Sequence, residues 1–119
     1  MRDFWKLQIW VRSHGLILGV NRITKGLPKT ETYELVGQMR RSAFSIPTNI
    51  AEGSGRNTDK DFARFLDNAM GSASEPEYQL LLAYDLNDLP QNAYKTTNDE
   101  LIEIKRMLNT FIHKLIPNS

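Results

Sequence analysis

Apolar residues recur at alternating steps of three and four along four successive segments of this chain. This spacing is the period of an α-helix, and its average of about 3.5 residues is typical of helices that interlock along a row of side chains. Glycine and proline separate the segments at 26–28, 53–55 and 89–90. Glycine commonly closes a helix and proline disfavours helix in the residue before it, so these are natural boundaries. The pattern therefore predicts four helices and no sheet.

We expect these helices at about 3–25, 30–53, 58–88 and 91–116, which makes rods of about 35–45 Å. Rods of similar length joined by short loops pack as antiparallel neighbours. The predicted fold is all-α, an antiparallel up-down-up-down four-helix bundle, with one domain over residues 1–119. The residues expected to face the core are Phe4, Leu7, Val11, His14 and Leu18; Val36, Met39, Ala43, Ile46 and Ile50; Phe62, Leu66, Ala69, Ala73, Pro76, Leu80 and Ala83; and Leu101, Ile104, Leu108, Phe111 and Leu115.

Two helix starts carry a capping signal. Thr58 precedes Asp61 by three residues, so its hydroxyl can accept from a free amide of the first turn while the carboxylate lies at the positive end of the helix dipole. Thr97 and Glu100 repeat the pattern, and a start near Gln91 is the alternative for the fourth helix.

Two prolines fall inside predicted helices. Pro47 and Pro76 each remove a helical amide and crowd the carbonyl four residues back, at a cost of about 3 kcal/mol in a regular helix. They should kink their helices or mark an end, so the third helix could split near Ser74. We keep it whole because its apolar row continues through Pro76 without losing phase.

Composition excludes several kinds of site. The 119 residues include no cysteine and two histidines, so no disulfide framework, thiolate metal site or cysteine nucleophile is available, and a cytoplasmic location is expected. His14 is expected to be partly buried and not a ligand, because no second histidine lies at ligand spacing. The longest uncharged run, 42–51, is shorter than the roughly 20 residues of a membrane span. We expect no metal, no organic cofactor and no membrane segment.

A polar stripe runs beside the apolar row of the second helix and meets a counterpart on the third. With the two helices antiparallel, Ser45 should fall near Asn68, and Arg41 near Ser72 and Glu75. We expect an interhelix hydrogen-bond network in preference to a catalytic site, because a carboxylate facing an arginine compensates buried charge. An ion pair between Arg41 and Glu75 is expected within one chain or across a subunit contact. The predicted network comprises Arg41, Ser45, Asn49, Asn68, Ser72 and Glu75.

The sequence GSGRNT at 53–58 leads directly into a helix start. Such a loop can hold a phosphate, and Arg40 and Arg56 are the candidate phosphate contacts. The spacing matches neither the P-loop nor the dinucleotide fingerprint. We favour the simpler interpretation, in which Gly53 adopts the left-handed conformation that closes a helix and Gly55 permits the turn.

Charge is divided unevenly along the chain. Residues 1–28 carry five basic and one acidic residue, a net charge of +4, whereas residues 57–90 carry two basic and seven acidic residues, a net charge of −5. The basic residues of the first helix form no single stripe, and aromatic residues do not alternate with charges as base-stacking platforms require. Opposite charges on the first and third helices favour contacts within the bundle or between subunits.

The first helix has more apolar residues than one core can cover. An apolar excess of this kind usually marks an interface. With the charge division, it predicts a homo-oligomer with head-to-tail contacts that can close into a ring. The residues outside the predicted core row are Trp5, Ile9, Trp10, Leu16, Ile17, Val20 and Ile23.

Several blocks of sequence resemble one family. They are Phe4 and Trp10, the dipeptide at 27–28, RRSAFSIPTNIAEGSGR at 40–56, the apolar residues Phe62, Phe65 and Leu66, and GSASE at 71–75. Together they resemble the 23S ribosomal-RNA intervening-sequence protein family. The resemblance implies an antiparallel four-helix bundle that assembles as a homopentamer, with no enzymatic activity. It also implies kinship with the accessory protein of diversity-generating retroelements, a basic pentamer that binds nucleic acid and a reverse transcriptase. The nearly balanced charge of this chain departs from those relatives.

The function expected from the sequence is that of a non-enzymatic, homo-oligomeric helical interaction protein. Its expected partners are further copies of itself and RNA or a nucleic-acid-handling protein. The alternative is an adapter that binds only proteins. An enzyme that uses the polar stripe or the glycine-rich loop is the third and least favoured class.

Overall fold

The computed structural model describes residues 2–27 and 33–117. These residues form a 3₁₀ turn at Phe4–Lys6, followed by helices α1 (Gln8–Thr24), α2 (Tyr33–Ser54), α3 (Asp59–Asp85) and α4 (Gln91–Leu115). Within these two ranges no strand is present, and the predicted all-α four-helix bundle is confirmed. The predicted start of the second helix at 30, and the proline at 28, lie outside the described residues.

Each helix packs beside its neighbours in sequence, and α4 closes the bundle against α1. The most extensive packing is between α2 and α3, and α1 and α3 are not packed as neighbours, so these two helices lie on opposite corners. The segment before the 3₁₀ turn and the end of α2 meet where the amide of Arg2 donates to the carbonyl of Ser54 at 3.0 Å. One end of the bundle therefore contains the beginning of α1, the end of α2, the beginning of α3 and the end of α4.

The predicted core rows of α2, α3 and α4 are confirmed. Burying a large side chain of this kind contributes about 1.5–3 kcal/mol, so these three rows hold the bundle together. Val36 is half-buried, and Phe111 and Leu115 pack against the core from its edge. The fully buried members include Met39, Ile46, Ile50, Phe62, Leu66, Pro76, Leu80, Leu101, Ile104 and Leu108.

The predicted core row of the first helix is wrong. Val11 and Leu18 are 45% and 51% exposed, and His14 is also exposed. The buried face of α1 is instead Ile9, Ser13, Leu16, Val20 and Thr24. The two hydroxyls can be buried because each donates to the carbonyl four residues back, at 2.8 Å for Ser13 and 2.7 Å for Thr24.

The helix boundaries test the capping signals. The Thr58 hydroxyl accepts from the amide of Asp61 at 3.1 Å, which confirms the predicted start of α3. The Thr97 signal is wrong, because α4 begins at Gln91 and Thr97 is buried inside it. Residues 3–25 are not one helix either, since the extended backbone of Leu7 separates the 3₁₀ turn from α1.

Both interior prolines lie within unbroken helices. Pro47 is inside α2 and Pro76 inside α3, and neither ends its helix. Both rings are buried. Their apolar contacts with the core offset part of the cost of the missing amide, which explains why α3 remains whole as expected.

The turn after α3 depends on one left-handed residue. Asn87 has a φ of 63°, and the amides of Asn87 and Asp88 donate to the carbonyls of Tyr84 and Ala83 at 2.9 Å. This geometry caps the carboxyl end of α3, and asparagine tolerates it better than most residues.

We expect Asn87→Ala to lower the free energy of unfolding by about 1 kcal/mol, because alanine pays the steric cost of the left-handed region. Asn87→Gly is the matched control and should cost nothing, since glycine has no Cβ. Urea denaturation at one protein concentration measures both changes. Equal stability of the two variants would contradict the role of the turn.

Candidate functional site

A polar groove of about 300 Å³ runs between α2 and α3 on the outside of the bundle. Within it the Ser42 hydroxyl donates to Oε1 of Gln79 at 2.7 Å, which joins the two helices. Three residues of the predicted network, Arg41, Ser45 and Glu75, come together here. The complete lining is Gln38, Arg41, Ser42, Ser45, Glu75 and Gln79.

Most of the predicted interhelix network is not formed within this chain. The Ser45 hydroxyl donates to the carbonyl of Ser42 and the Asn49 amide to the carbonyl of Ser45, both at 2.8 Å, so these bonds stay inside α2. Asn68 is exposed and Ser72 is half-buried, and neither lines the groove. The polar side chains of the stripe on α2 therefore bond mainly to backbone carbonyls of α2 and not to α3.

Arg41 and Glu75 share the groove, as the antiparallel arrangement predicted. Both side chains are exposed, and among the ion pairs of residues 2–27 and 33–117 none joins them. The expected pair is therefore absent within one chain, and its form across a subunit contact stays a prediction. The register that placed Ser45 beside Asn68 is wrong, because Ser45 lines the groove with Glu75.

Gly53 allows α2 and α3 to pack closely and does not form a left-handed turn. It lies within α2, and in the described part of the chain no glycine has a positive φ. A Cβ at this position would lie 2.7 Å from Cβ of Phe65 and 2.8 Å from Cδ1 of Phe62. The prediction that Gly53 closes the helix in the left-handed conformation is therefore wrong, and the glycine lets α3 approach α2.

The candidate phosphate contacts already have partners in the chain. Arg56 lies 3.4 Å from a carboxylate oxygen of Glu52 and 3.7 Å from one of Asp61, and its guanidinium stacks 4.6 Å from the ring centroid of Phe65. Arg40 donates from Nε to the Thr24 hydroxyl at 3.1 Å. These contacts orient both cations, and phosphate binding by either stays a prediction.

The glycine-rich loop borders a cleft of about 820 Å³ between the beginning of α3 and the end of α4. Arg56, Lys60 and Arg64 line it together with Asp61 and Asp67. Because both signs of charge face the cleft, it lacks the purely cationic character of a phosphate pocket. Its floor includes apolar side chains from both helices.

Two ion pairs on the α1–α4 side fix further cations. Arg12 donates to both carboxylate oxygens of Glu100, at 2.7 and 2.9 Å, and these hydrogen bonds raise the pKa of Arg12 above its ordinary value. On α4, hydrogen bonds from Arg106 lower the pKa of Glu103. These two arginines are therefore held by carboxylates of their own chain.

Aromatic residues at the start of the chain form a continuous cluster, which we call the aromatic ladder: Phe4, Trp5, Trp10 and His14. Phe4 contacts both tryptophans with ring centroids 5.0 Å apart, at interplanar angles of 81° and 63°. Trp10 stacks on His14 with centroids 4.9 Å apart and planes 6° apart. His14 is exposed, so its expected partial burial is wrong.

The 3₁₀ turn folds Phe4 back onto Trp10, which brings together rings that a single helix over residues 3–25 would keep apart. The charged residues near these rings in the sequence have carboxylate partners: Arg2 pairs with Asp59, Lys6 with Asp3 and Arg12 with Glu100. The signal available in the sequence was the close spacing of Phe4, Trp5 and Trp10.

Three large apolar side chains of α1 and α2 are exposed. Val11 and Leu18 on α1 are about half exposed, and Phe44 on α2 is 60% exposed. Of the residues expected outside the core row of the first helix, Trp5 is exposed, whereas Ile9, Leu16 and Val20 are buried. The predicted apolar excess of the first segment is therefore present, and Trp5, Val11 and Leu18 carry it.

Over residues 2–27 and 33–117, no three histidine, aspartate or glutamate side chains come together in a cluster that could hold a metal ion. None of the helices in those ranges is long and apolar enough to span a bilayer.

Comparison with known proteins identifies one family. The model of the 23S rRNA-intervening sequence protein family matches residues 5–110. Four chains of solved structures match, including a protein of unknown function from the S23 ribosomal protein family of Bacteroides thetaiotaomicron VPI-5482. That protein is 26% identical, with a TM-score of 0.81 over 87% of this chain and 97% of its own. A comparison with curated proteins finds no match.

Proposed function

Because this chain belongs to the 23S rRNA-intervening sequence protein family, we propose that it is a non-enzymatic, homo-oligomeric interaction protein. Its proposed partner is RNA or a nucleic-acid-handling protein. The observation that carries the proposal is the exposure of three large apolar side chains on α1 and α2: Val11, Leu18 and Phe44. Apolar surface of this kind on a helix pair is typical of a protein contact.

Charge supports contact between copies of the chain. Helix α1 has two arginines and no acidic residue, whereas α3 has six acidic and two basic residues. Since α1 and α3 lie on opposite corners of the bundle, neighbouring copies can bring them together head to tail. Repetition of such a contact closes a ring when the rotation permits. The resemblance of the sequence blocks to the family implies that such a ring has five subunits.

An Arg41–Glu75 pair fits the same assembly. Each of these exposed side chains has its charge in water, and no carboxylate or cation of the described residues pairs with it. Subunit contact would give each a partner. We propose that this pair forms across a subunit contact. We also propose that the chain is related to the accessory protein of diversity-generating retroelements.

Two features support a role without catalysis. Both serine hydroxyls in the polar groove already donate hydrogen bonds, Ser42 to the Gln79 side chain and Ser45 to a backbone carbonyl. Neither hydroxyl therefore donates to a group that could act as a general base. No histidine lines this groove. A serine nucleophile needs an adjacent base to be activated, and the groove supplies no imidazole for that purpose.

An oligomer would also strengthen binding to nucleic acid. Cations of several subunits around one axis act together on one polyanion, and avidity then exceeds the affinity of a single chain. A chain of net charge +1 can bind RNA in this way. We propose that it does so in the cytoplasm, since a chain without cysteine folds equally well in a reducing compartment.

Light scattering on the purified native protein tests the assembly. We expect a mass that is a multiple of the single chain of 13.7 kDa, and expect Leu18→Glu to reduce that mass because it places a charge in the contact. Ile102→Ala, which removes a side chain of α4 that is 48% exposed, is the control and should leave the mass unchanged. A single-chain mass for the native protein at micromolar concentration would contradict the proposal.

The alternative is an adapter that binds only proteins. It is favoured by the pairing of cations, since Arg2, Arg12 and Lys105 each lie beside a carboxylate of another element. Salt titration separates the two functions. Binding to a labelled single-stranded RNA that falls steeply between about 50 and 200 mM salt supports the first. Salt-insensitive capture of a protein, with no RNA binding, supports the adapter.

A further inference from the structure

We propose that Trp5 is a stacking platform for an unpaired base of single-stranded RNA, held in position by the aromatic ladder. This inference rests on the proposed RNA binding and assigns it to one side chain. Trp5 is 56% exposed, which is unusual for the largest apolar side chain unless something covers it. Aromatic faces bind bases of any sequence, because every base has a π-face.

The ladder holds Trp5 before any ligand arrives. Phe4 contacts both Trp5 and Trp10, with ring centroids 5.0 Å apart in each pair. Trp10 in turn stacks on His14. Phe4 and Trp10 are half-buried, and Trp10 packs against the core. A platform fixed in this way loses little side-chain entropy when a base stacks on it.

The backbone ties the platform to the bundle as well. The amide of Arg2 donates to the carbonyl of Ser54 at 3.0 Å, and its side chain pairs with Asp59. The guanidinium of Arg2 also lies 4.5 Å from the ring centroid of Phe62. The 3₁₀ turn that carries Trp5 is therefore attached to α2 and α3, and it is not a free end of the chain.

Cations gather at the same end of the bundle. Lys6 follows Trp5 in the chain; its side chain is 73% exposed and lies 3.4 Å from a carboxylate oxygen of Asp3. Lys60 lies in the first turn of α3 and Lys114 in the last turn of α4, and among the described residues neither has a carboxylate in an ion pair. An exposed aromatic face with a cation beside it in the chain, and with unpaired lysines at the same end of the bundle, fits a ligand that alternates bases with phosphates.

Single-stranded RNA fits this surface better than a duplex does. In a duplex the bases are already stacked on each other, and the narrow major groove of A-form RNA excludes side chains. An unpaired base can turn outward and stack on the exposed ring, while its phosphates lie near Lys6. A second copy of this chain is the competing occupant of Trp5, and the experiment distinguishes it.

The chain offers an intrinsic reporter of this site. Its two tryptophans are Trp5 and Trp10, and both belong to the ladder. We expect oligouridylate to quench the tryptophan fluorescence of the native oligomer, with a midpoint that moves to higher RNA concentration as salt is added. Duplex RNA of the same length should bind without comparable quenching.

Variants of Trp5 measure its contribution through the anisotropy of a fluorescein-labelled oligouridylate. Trp5→Ala should weaken binding by about 5- to 150-fold, the range for removal of one stacked base. Trp5→Phe keeps an aromatic face and should retain most of the affinity. Tyr78→Ala removes a side chain of α3 that is 62% exposed, and it should leave RNA affinity unchanged. Light scattering checks that each variant keeps the native mass.

The outcomes separate this inference from the proposed function. Salt-dependent RNA binding that is equal in Trp5→Ala and the native protein overturns the platform and leaves the proposed function in place. The absence of any RNA binding at low salt overturns the platform and, with it, RNA as the partner in the proposed function. If the Trp5→Ala variant has a lower oligomer mass than the native protein, a second copy of the chain covers the Trp5 ring. This outcome also overturns the platform. Quenching together with a selective loss in Trp5→Ala supports it.

Discussion

Replacing Phe62 with alanine should lower the free energy of unfolding by about 3–5 kcal/mol. The ring is fully buried and contacts other groups on several sides. It meets Phe111 edge to face, with centroids 5.4 Å apart and planes 75° apart, and Arg2 covers it from the bundle end at 4.5 Å. Gly53 lies against its edge. Truncation therefore leaves a cavity where α2, α3 and α4 meet.

Urea denaturation at a fixed protein concentration measures this loss, because the apparent stability of an oligomer depends on concentration. Tyr78→Ala is the control on the same helix. Tyr78 is 62% exposed, and substitutions at exposed positions usually change stability by no more than about 0.5 kcal/mol. A loss below about 1 kcal/mol for Phe62→Ala would show that this part of the core is not packed as described.

The sequence was most informative where apolar side chains alone decide which face is buried. On α2, α3 and α4 the predicted rows are the buried rows, because small and large apolar residues follow the helical period there without interruption. Pro76 illustrates why. Its ring satisfies the apolar pattern, and the burial of that ring outweighs the local preference of proline to end a helix.

On α1 the same reasoning selected the wrong face. Apolar residues surround this helix, so period alone leaves two choices, and the buried one includes Ser13 and Thr24. A hydroxyl that donates to the carbonyl four residues back carries little desolvation cost. The sequence shows the hydroxyl, but it does not show that the hydroxyl will be satisfied by its own helix.

The polar groove shows a second limit. Ser45 and Asn49 were expected to connect two helices, and both bond to α2 itself. Local bonds of serine and asparagine compete with bonds to a neighbouring helix. Which bond forms depends on interhelix distance and register, and these follow from packing of the whole bundle. Arg41 and Glu75 share the groove although the register is shifted from the predicted one, because an arginine side chain is long enough to reach across a shift of about one turn.

Gly53→Ala should lower the free energy of unfolding by about 1–3 kcal/mol. The added Cβ would lie 2.7 Å from Cβ of Phe65, and it would also meet the ring of Phe62. A Cβ is bound to the backbone and cannot rotate away, so α2 and α3 must separate. The gain of about 1 kcal/mol that alanine normally brings to a helix interior reduces the loss but does not remove it.

Gly15→Ala is the matched control and should change stability in the opposite direction. Gly15 also lies inside a helix, but a Cβ there would meet nothing within 4 Å, so the variant keeps the helix-forming gain of about 1 kcal/mol over glycine. Urea denaturation of both variants at one protein concentration gives the comparison. If Gly15→Ala is destabilising instead, another chain approaches α1 at this glycine. If Gly53→Ala is neutral, the contact between α2 and α3 is looser than described.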